Sequence, residues 1–219
     1  MMHNFLIICV MTTIMNNLIY VLVRTHKRPE ALRRCLDSLC EQTKKHFSVV
    51  IISDYEKDLV ENLVYEYPDL YFIFMHVDPL GYPGCNLYLN EVKNYINSDY
   101  VIFIDDDDIV VDSTYFETIE NIINVSPYSV IISKAQFPGR LIPSDNRWGL
   151  YPQAGNISTL NFCVRTDIYK KCNWSGDHIG DFHFIKNVFD IIDWQRDALW
   201  YNNVTTKVGD IPRLGKGEY

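Results

Sequence analysis

Along the first half of the chain, short runs of β-branched and aromatic residues alternate with segments whose apolar residues recur every three or four positions. The runs Leu18–Val23, Phe47–Ile52, Leu70–Val77, Tyr100–Ile104 and Ser129–Ser133 predict buried strands. Between the first two, Leu32, Cys35, Leu36 and Leu39 predict a helix opened by Pro29, with Arg33, Arg34 and Asp37 on its other face. Leu59, Val60, Leu63 and Val64 predict a second helix, stopped before Pro68, and Leu89, Val92 and Ile96 a third. A loop of prolines and glycines, Pro79 to Gly84, precedes that third helix. Thr114 and Glu117 have the spacing of a capping box and predict a helix through Phe116, Ile119 and Ile123. Strand–helix units in series predict an α/β fold with a central, mostly parallel sheet and right-handed crossovers.

After Ile132 the pattern breaks. Residues 134–160 mix glycine, proline, asparagine and aromatics without a clear period. Asn161–Val164 predicts a short strand, and Phe182, Ile185, Val188, Phe189 and Ile192 predict one more helix. From Asn202 the tail is polar and carries Lys207, Arg213 and Lys216 among glycines. It reads equally as a basic flap that closes over an anion or as a frayed terminus. At the other end, Phe5–Val10 is apolar, but Thr12, Thr13, Asn16 and Asn17 break the run before Leu18. A membrane-spanning helix needs about 20 apolar residues in a row. Residues 1–17 are therefore read as an apolar lead, and residues 18–219 as a single domain with halves at 18–112 and 113–219.

A chain of 219 residues with 47% apolar and 22% charged positions folds around a full core and is not a disordered segment. Its formal charge of −8 argues against nucleic acid as a partner, since binding driven by phosphate contacts needs a basic surface. The six cysteines form no CxxC pair. That pattern suggests reduced core thiols and a reducing, cytoplasmic compartment; an N-terminal membrane anchor in the apolar lead is the alternative.

The chemistry gathers at one point. The run Tyr100–Ile104 leads straight into Asp105, Asp106, Asp107 and Asp108. Adjacent carboxylates repel, and a divalent cation relieves the repulsion. Hard oxygen donors at the carboxyl end of a strand suit Mn²⁺ or Mg²⁺, which would carry a phosphate as a further ligand. A solvated acidic turn is the plain alternative. Side chains alternate along a strand, so Asp105 and Asp107 project together, ahead of Asp106 and Asp108.

The segment Val21–Pro29, with Arg24–Thr25–His26–Lys27–Arg28 at its centre, resembles the opening strand and loop of family 2-like glycosyltransferases with the GT-A fold. Ile51–Asp54 is similar to their second strand ending in an aspartate, and Gly84–Cys85–Asn86 to their glycine-then-asparagine helix start. Ile104–Asp108 resembles their DxD motif, and Gly180–Asp181–Phe182 their later acidic motif, which more often reads Glu-Asp. The resemblance spans residues 18–190 and rests on the order of these motifs. It implies a metal-dependent inverting transfer of a hexose from a nucleotide-diphospho-sugar, most simply a UDP-sugar, to a hydroxyl of a glycan or other acceptor. The first half would then bind the donor and the second the acceptor.

On that resemblance, Asp107 is the metal ligand, with Asp105 beside the ribose and touching the metal; Asp106 is a further donor contact, and Asp106 and Asp108 are the alternative second ligands. Asp54 accepts the N–H of the base, or else serves only its turn. Thr25 and Arg28 reach the nucleotide or its diphosphate, with Arg24 and Lys27 behind them. Gly84 and Asn86 meet the donor or shape the helix start. Asp181 is the general base, with Asp177 as runner-up; a purely helix-terminal role for Asp181 is the alternative. Trp148, Tyr151 and Trp174 are candidates for stacking on acceptor sugars and, equally, for core packing. Two other functions share the pattern. A haloacid-dehalogenase-like phosphatase also places Asp-x-Asp after a strand, but on its first strand. A non-catalytic nucleotide-sugar-binding module would keep the fold without turnover.

Overall fold

A computed structural model describes residues 6–8, 18–54, 62–63, 65–80 and 84–209. Ten strands form one sheet among them: β1 (Leu6–Ile8), β2 (Ile19–Thr25), β3 (Phe47–Ser53), β4 (Tyr71–His76), β5 (Tyr100–Asp105), β6 (Asp108–Val110), β7 (Val130–Phe137), β8 (Arg140–Ile142), β9 (Phe162–Arg165) and β10 (Ala198–Val208). Their order is β1-β4-β3-β2-β5-β9-β7-β10-β6, with β8 beside β7. The longer helices are α1 (Pro29–Cys40), α3 (Tyr115–Val125) and α5 (Gly180–Ile191). Shorter ones are α2 (Tyr88–Glu91), flanked by 3₁₀ turns, α4 (Thr166–Tyr169) and α6 (Trp194–Asp197).

The apolar runs become strands because both faces of the sheet are covered. Ile19, Val21 and Val23 of β2 pack with Leu32, Leu36 and Leu39 of α1 on one face. Tyr20 and Leu22 pack with Leu89, Val92 and Ile96 on the other. The same split divides β3 and β5, with Val49, Ile51, Ile102 and Ile104 on the first face and Val50, Ile52, Val101 and Phe103 on the second. A strand buried on both faces reads as a continuous apolar run, the signature visible in the sequence.

The block β4-β3-β2-β5 is parallel throughout, as predicted. Beyond β5 the sheet is mixed, more antiparallel than the sequence suggests. Short β9 runs antiparallel between β5 and β7, and β6 pairs antiparallel with β10. The tail is neither flap nor frayed end as far as Gly209: it is β10, parallel to β7. Arg213 and Lys216 lie outside the described residues. So do most of the predicted second helix, of which residues 62–63 are helical, and residues 81–83 of the proline–glycine loop. Within the apolar lead, Leu6–Ile8 adds an edge strand antiparallel to β4, pairing Leu6 with His76.

Two helices start differently. Pro29 opens α1 as expected. The capping box at Thr114 does not form: Asp112 Oδ1 accepts the Thr114 N–H at 2.9 Å and its hydroxyl at 2.8 Å. The charged acceptor two residues earlier captures the hydroxyl, and Glu117 turns outward to accept from Thr43 at 3.1 Å.

Candidate functional site

The parallel strands β3, β2 and β5 end side by side, and their carboxyl ends carry the charged groups. Register places Arg24 of β2 opposite Asp105 of β5. The Arg24 guanidinium donates to Asp105 Oδ1 through Nε at 3.0 Å and again through Nη2. Next in sequence, the Thr25 hydroxyl donates to Asp106 Oδ2 at 2.7 Å. Lys27 then adopts a positive φ of 50°, an uncommon conformation for a residue with a Cβ. This bend separates His26, which turns to Asp54, from Arg28, which turns to the acidic turn. Arg28 donates to Asp107 Oδ2 at 2.8 Å and, through its other terminal nitrogen, to Asp106 Oδ1.

The four consecutive aspartates sort by burial. β5 ends at Asp105, residues 106–107 turn, and β6 starts at Asp108. The Asp105 and Asp107 side chains stay 31% and 15% exposed, whereas Asp106 is 0% and Asp108 5% exposed. The alternation of faces therefore persists through the turn. Burial pushes the Asp106 carboxyl up to about 7, against the pull of Arg28 and Thr25. Burial also raises Asp108 well above the usual carboxylate range, with Asp105 and Asp107 adding to the shift. Thr25 and Asp106, read from the sequence as donor contacts, thus lie beneath the surface and hold Arg28 in place.

Among the described residues, no group of three or more His, Cys, Asp or Glu side chains is arranged around a metal. What the turn offers is a pair of part-exposed carboxylates. Each has one oxygen engaged by arginine, and neither Asp105 Oδ2 nor Asp107 Oδ1 receives a hydrogen bond from the described residues. That donor set fits Mg²⁺ or Mn²⁺, which takes one or two carboxylates and completes its shell with water and substrate phosphates.

Asp54 directly follows the last residue of β3 and is 8% exposed. Its Oδ1 meets His26 Nδ1 at 2.5 Å, and its Oδ2 accepts the Tyr88 hydroxyl at 2.9 Å. The Tyr88 oxygen in turn accepts the Leu80 N–H at 2.6 Å. Neither His26 nor Tyr88 stands out in the sequence as a site residue. Their signal is tertiary, since β2, β3 and α2 must be assembled before they meet. Gly84 starts the 3₁₀ turn that leads into α2, and a Cβ there would sit 3.1 Å from that of Leu80.

The second half contributes the N-terminus of α5. Its helix is anchored by Phe184, Ile185, Val188 and Phe189, all buried. Trp174 stacks on Phe184 at 4.3 Å and 6°, and Phe103 of β5 meets both rings edge-on. Asp181 lies in the first turn, where its Oδ1 accepts the Phe182 N–H at 2.7 Å. Burial pushes its carboxyl up to about 6; that hydrogen bond and Arg24 pull it down, and the charge of Asp105 pushes it further up. Asp181, Arg24 and Asp105 therefore form one electrostatic group. Asp177 is different. Although slight burial pushes it up, the Ile179 N–H, Ser175 and His183 hold it below the usual carboxylate range. His183 Nδ1 lies 3.0 Å from Asp177 Oδ2 and 3.0 Å from the Ser175 hydroxyl. One ring nitrogen faces both partners, so Ser175, His183 and Asp177 do not form a nucleophile–base–acid relay, which needs both.

Asn86 joins the two halves. Its Oδ1 accepts from Arg24 Nη1, and its Nδ2 donates to the Asp177 carbonyl at 3.2 Å. Gly180 makes room for it: a Cβ there would lie 2.5 Å from Asn86 Nδ2. The candidate acceptor aromatics are each packed against other side chains. Trp174 is core, 3% exposed. Trp148 packs on Trp200 at 5.2 Å, and Tyr151 donates to Asp190, nine residues along α5 from Asp181 and about 13 Å down its axis.

A mixed α/β sheet with its charged groups at the carboxyl ends of the parallel strands is the GT-A glycosyltransferase fold, as solved relatives show. TarS from S. aureus in complex with UDP-GlcNAc matches with a TM-score of 0.69 at 17% identity, over 90% of this chain and 59% of that one. The mannosyltransferase PcManGT from Pyrobaculum calidifontis, in complex with GDP-Man and Mn²⁺, matches with a TM-score of 0.67 at 15% identity, over 92% and 59%. The chain belongs to glycosyl transferase family 2, whose profile matches residues 20–165. A curated relative, glycosyltransferase GlyA of Streptococcus pneumoniae, is 28% identical over 101 residues, 46% of this chain and 14% of GlyA. The chain thus spans about three-fifths of those solved structures and a small part of GlyA. Family membership displaces the phosphatase alternative. No helix among the described residues is long and apolar enough to cross a membrane.

Proposed function

We propose that the protein transfers a sugar, with inversion, from a nucleotide-diphospho-sugar to a hydroxyl of a glycan or other acceptor. The observation that carries this is the meeting of Asp105 and Asp181 around Arg24 at the carboxyl end of the sheet, with Asp107 two residues on and paired with Arg28. The part-exposed Asp105 of the donor half and the half-buried Asp181 of the acceptor half, whose carboxyl is pushed up to about 6, act on the same arginine.

In this reading Asp105 and Asp107 would hold a Mn²⁺ or Mg²⁺ ion, which supplies Lewis-acid stabilisation of the departing diphosphate. Arg28 lies beside Asp107 and places positive charge where the departing diphosphate would develop negative charge. Asp54 remains able to accept one more N–H, since a carboxylate has about four lone-pair sites. A carboxylate acceptor at that place favours uracil, and TarS, which matches in fold, was solved with UDP-GlcNAc. Asp181 takes the proton of the acceptor hydroxyl as the new O–C1 bond forms and the C1–O bond to the diphosphate breaks. It suits that task better than Asp177. A base must be able to hold a proton near operating pH, and Asp177 is held low by its hydrogen bonds.

The test is calorimetry of UDP-sugars and GDP-sugars with Mn²⁺, followed by donor hydrolysis. Metal-dependent binding of a UDP-sugar with turnover supports the reading. Binding without turnover of any donor, with or without added hydroxyl acceptors, contradicts transfer and favours a binding module.

A further inference from the structure

Asn86 makes a hydrogen-bonded side-chain link from Arg24 to the turn before α5. On one side Arg24, already bonded to Asp105 Oδ1, donates to Asn86 Oδ1. On the other, Asn86 Nδ2 donates to the Asp177 carbonyl at 3.2 Å, the same carbonyl that accepts the Gly180 N–H at 3.2 Å. That carbonyl closes the turn from which α5 begins, and Asp181 is the next residue after Gly180. The fit is two-sided. Gly180 has no Cβ, and one built there would lie 2.5 Å from Asn86 Nδ2 and 2.6 Å from the Ser175 carbonyl. The bare backbone at 180 is what lets the amide reach the turn. This also explains in physical terms why glycine precedes the acidic residue at this helix start.

We propose that Asn86 is a positioning residue: by clamping Arg24 and the turn before α5 together, it fixes the Asp181 carboxylate relative to Asp105, and hence base relative to donor. The proposal rests on the assignment of Asp105 to the donor and Asp181 to the acceptor proton. Both polar ends of the Asn86 amide are engaged within the protein, so its work is to hold the two halves in register. A misplacement of about 1 Å in a reacting group can cost 100-fold in rate.

The experiment compares wild type, Asn86→Ala, Asn86→Asp, Asp181→Asn and the double variant Asn86→Ala/Asp181→Asn. UDP affinity with Mn²⁺ is measured by calorimetry, and kcat by UDP-sugar hydrolysis or transfer. Asn86→Asp keeps an oxygen for Arg24 but sets an oxygen, not an N–H, against the Asp177 carbonyl. Both single changes at 86 should lower kcat by roughly tenfold or more and leave UDP affinity within about threefold. In the Asp181→Asn background, Asn86→Ala should cost little further, because the group it positions is already lost. A kcat unchanged in Asn86→Ala overturns the proposal. So does a loss confined to UDP affinity, or one that is fully additive with Asp181→Asn. A wild-type chain that neither binds UDP nor hydrolyses a nucleotide-sugar overturns instead the functional reading beneath it.

Discussion

Gly209 passes so close to Asp107 that a Cβ on it would lie 1.8 Å from the Asp107 carbonyl oxygen. The tail strand β10 therefore clamps the acidic turn from outside, pairing Val208 with Asp108 just before the approach. Gly209→Ala must push the turn and the strand end apart. UDP affinity in the presence of Mn²⁺ should fall by tenfold or more, while the thermal midpoint moves by only a few degrees, because the core strands are untouched. Calorimetry and a melting curve check both halves of this; unchanged affinity would mean that the turn tolerates the displacement.

In the proposed transfer, Asp181 sets the pH dependence. Its carboxyl is pushed up to about 6 by burial, opposed by the Phe182 N–H and reinforced by Asp105. A base works only when deprotonated, so activity is retained above that value and lost as pH falls through it. The plot of log kcat/KM against pH should be flat above about 6 and drop with unit slope below. A profile still flat at pH 4.5 assigns the proton to another group.

Asp181→Asn separates function from stability. Transfer should fall by at least ~100-fold with donor binding kept. A carboxyl whose folded value is raised above its unfolded one binds protons more tightly when folded, so its ionisation weakens the fold as pH rises from about 4 to about 6. The uncharged amide escapes that penalty. The variant should therefore be more stable than wild type at pH 8, by on the order of 1 kcal/mol, with a smaller gain or none at pH 4. Denaturant titrations at the two pH values measure the difference. A variant less stable than wild type at pH 8 would contradict burial as the cause of the raised value.

Phe103 anchors α5 to β5, edge-on to Phe162, Tyr169, Trp174 and Phe184. Phe103→Ala opens a cavity beneath β5 and α5 and should cost about 3–5 kcal/mol. Chemical denaturation gives the number directly. A loss below ~1 kcal/mol would mean that the aromatic cluster closes over the gap.

The strands of the parallel block were legible because each is buried on both faces and so reads as an unbroken apolar run. The site's outline was legible for a related reason. Carboxylates that follow such a run fall at the strand's carboxyl end, and burial does sort Asp105 and Asp107 from Asp106 and Asp108. The strand β10 was hidden, since its register shifts around Asn202 and Asn203 interrupt any period. The Arg24–Asp105 pair was hidden too. It follows from β2 lying next to β5, and sequence order alone does not fix neighbours in a sheet. The roles of Gly180 and Gly209 depend on what approaches them, Asn86 and Asp107, from distant parts of the chain. His26 and Tyr88 as partners of Asp54 were hidden for the same reason, since they meet it only once the strands and α2 assemble.

One titration bears most directly on the acidic turn as the donor's anchor: UDP into wild type and Asp107→Ala, each with Mn²⁺ and with chelator. Wild type should bind much more tightly with Mn²⁺, and Asp107→Ala should bind weakly and equally under both conditions while melting as a folded protein. UDP affinity that ignores both the ion and the substitution would show that the acidic turn after β5 does not hold the donor.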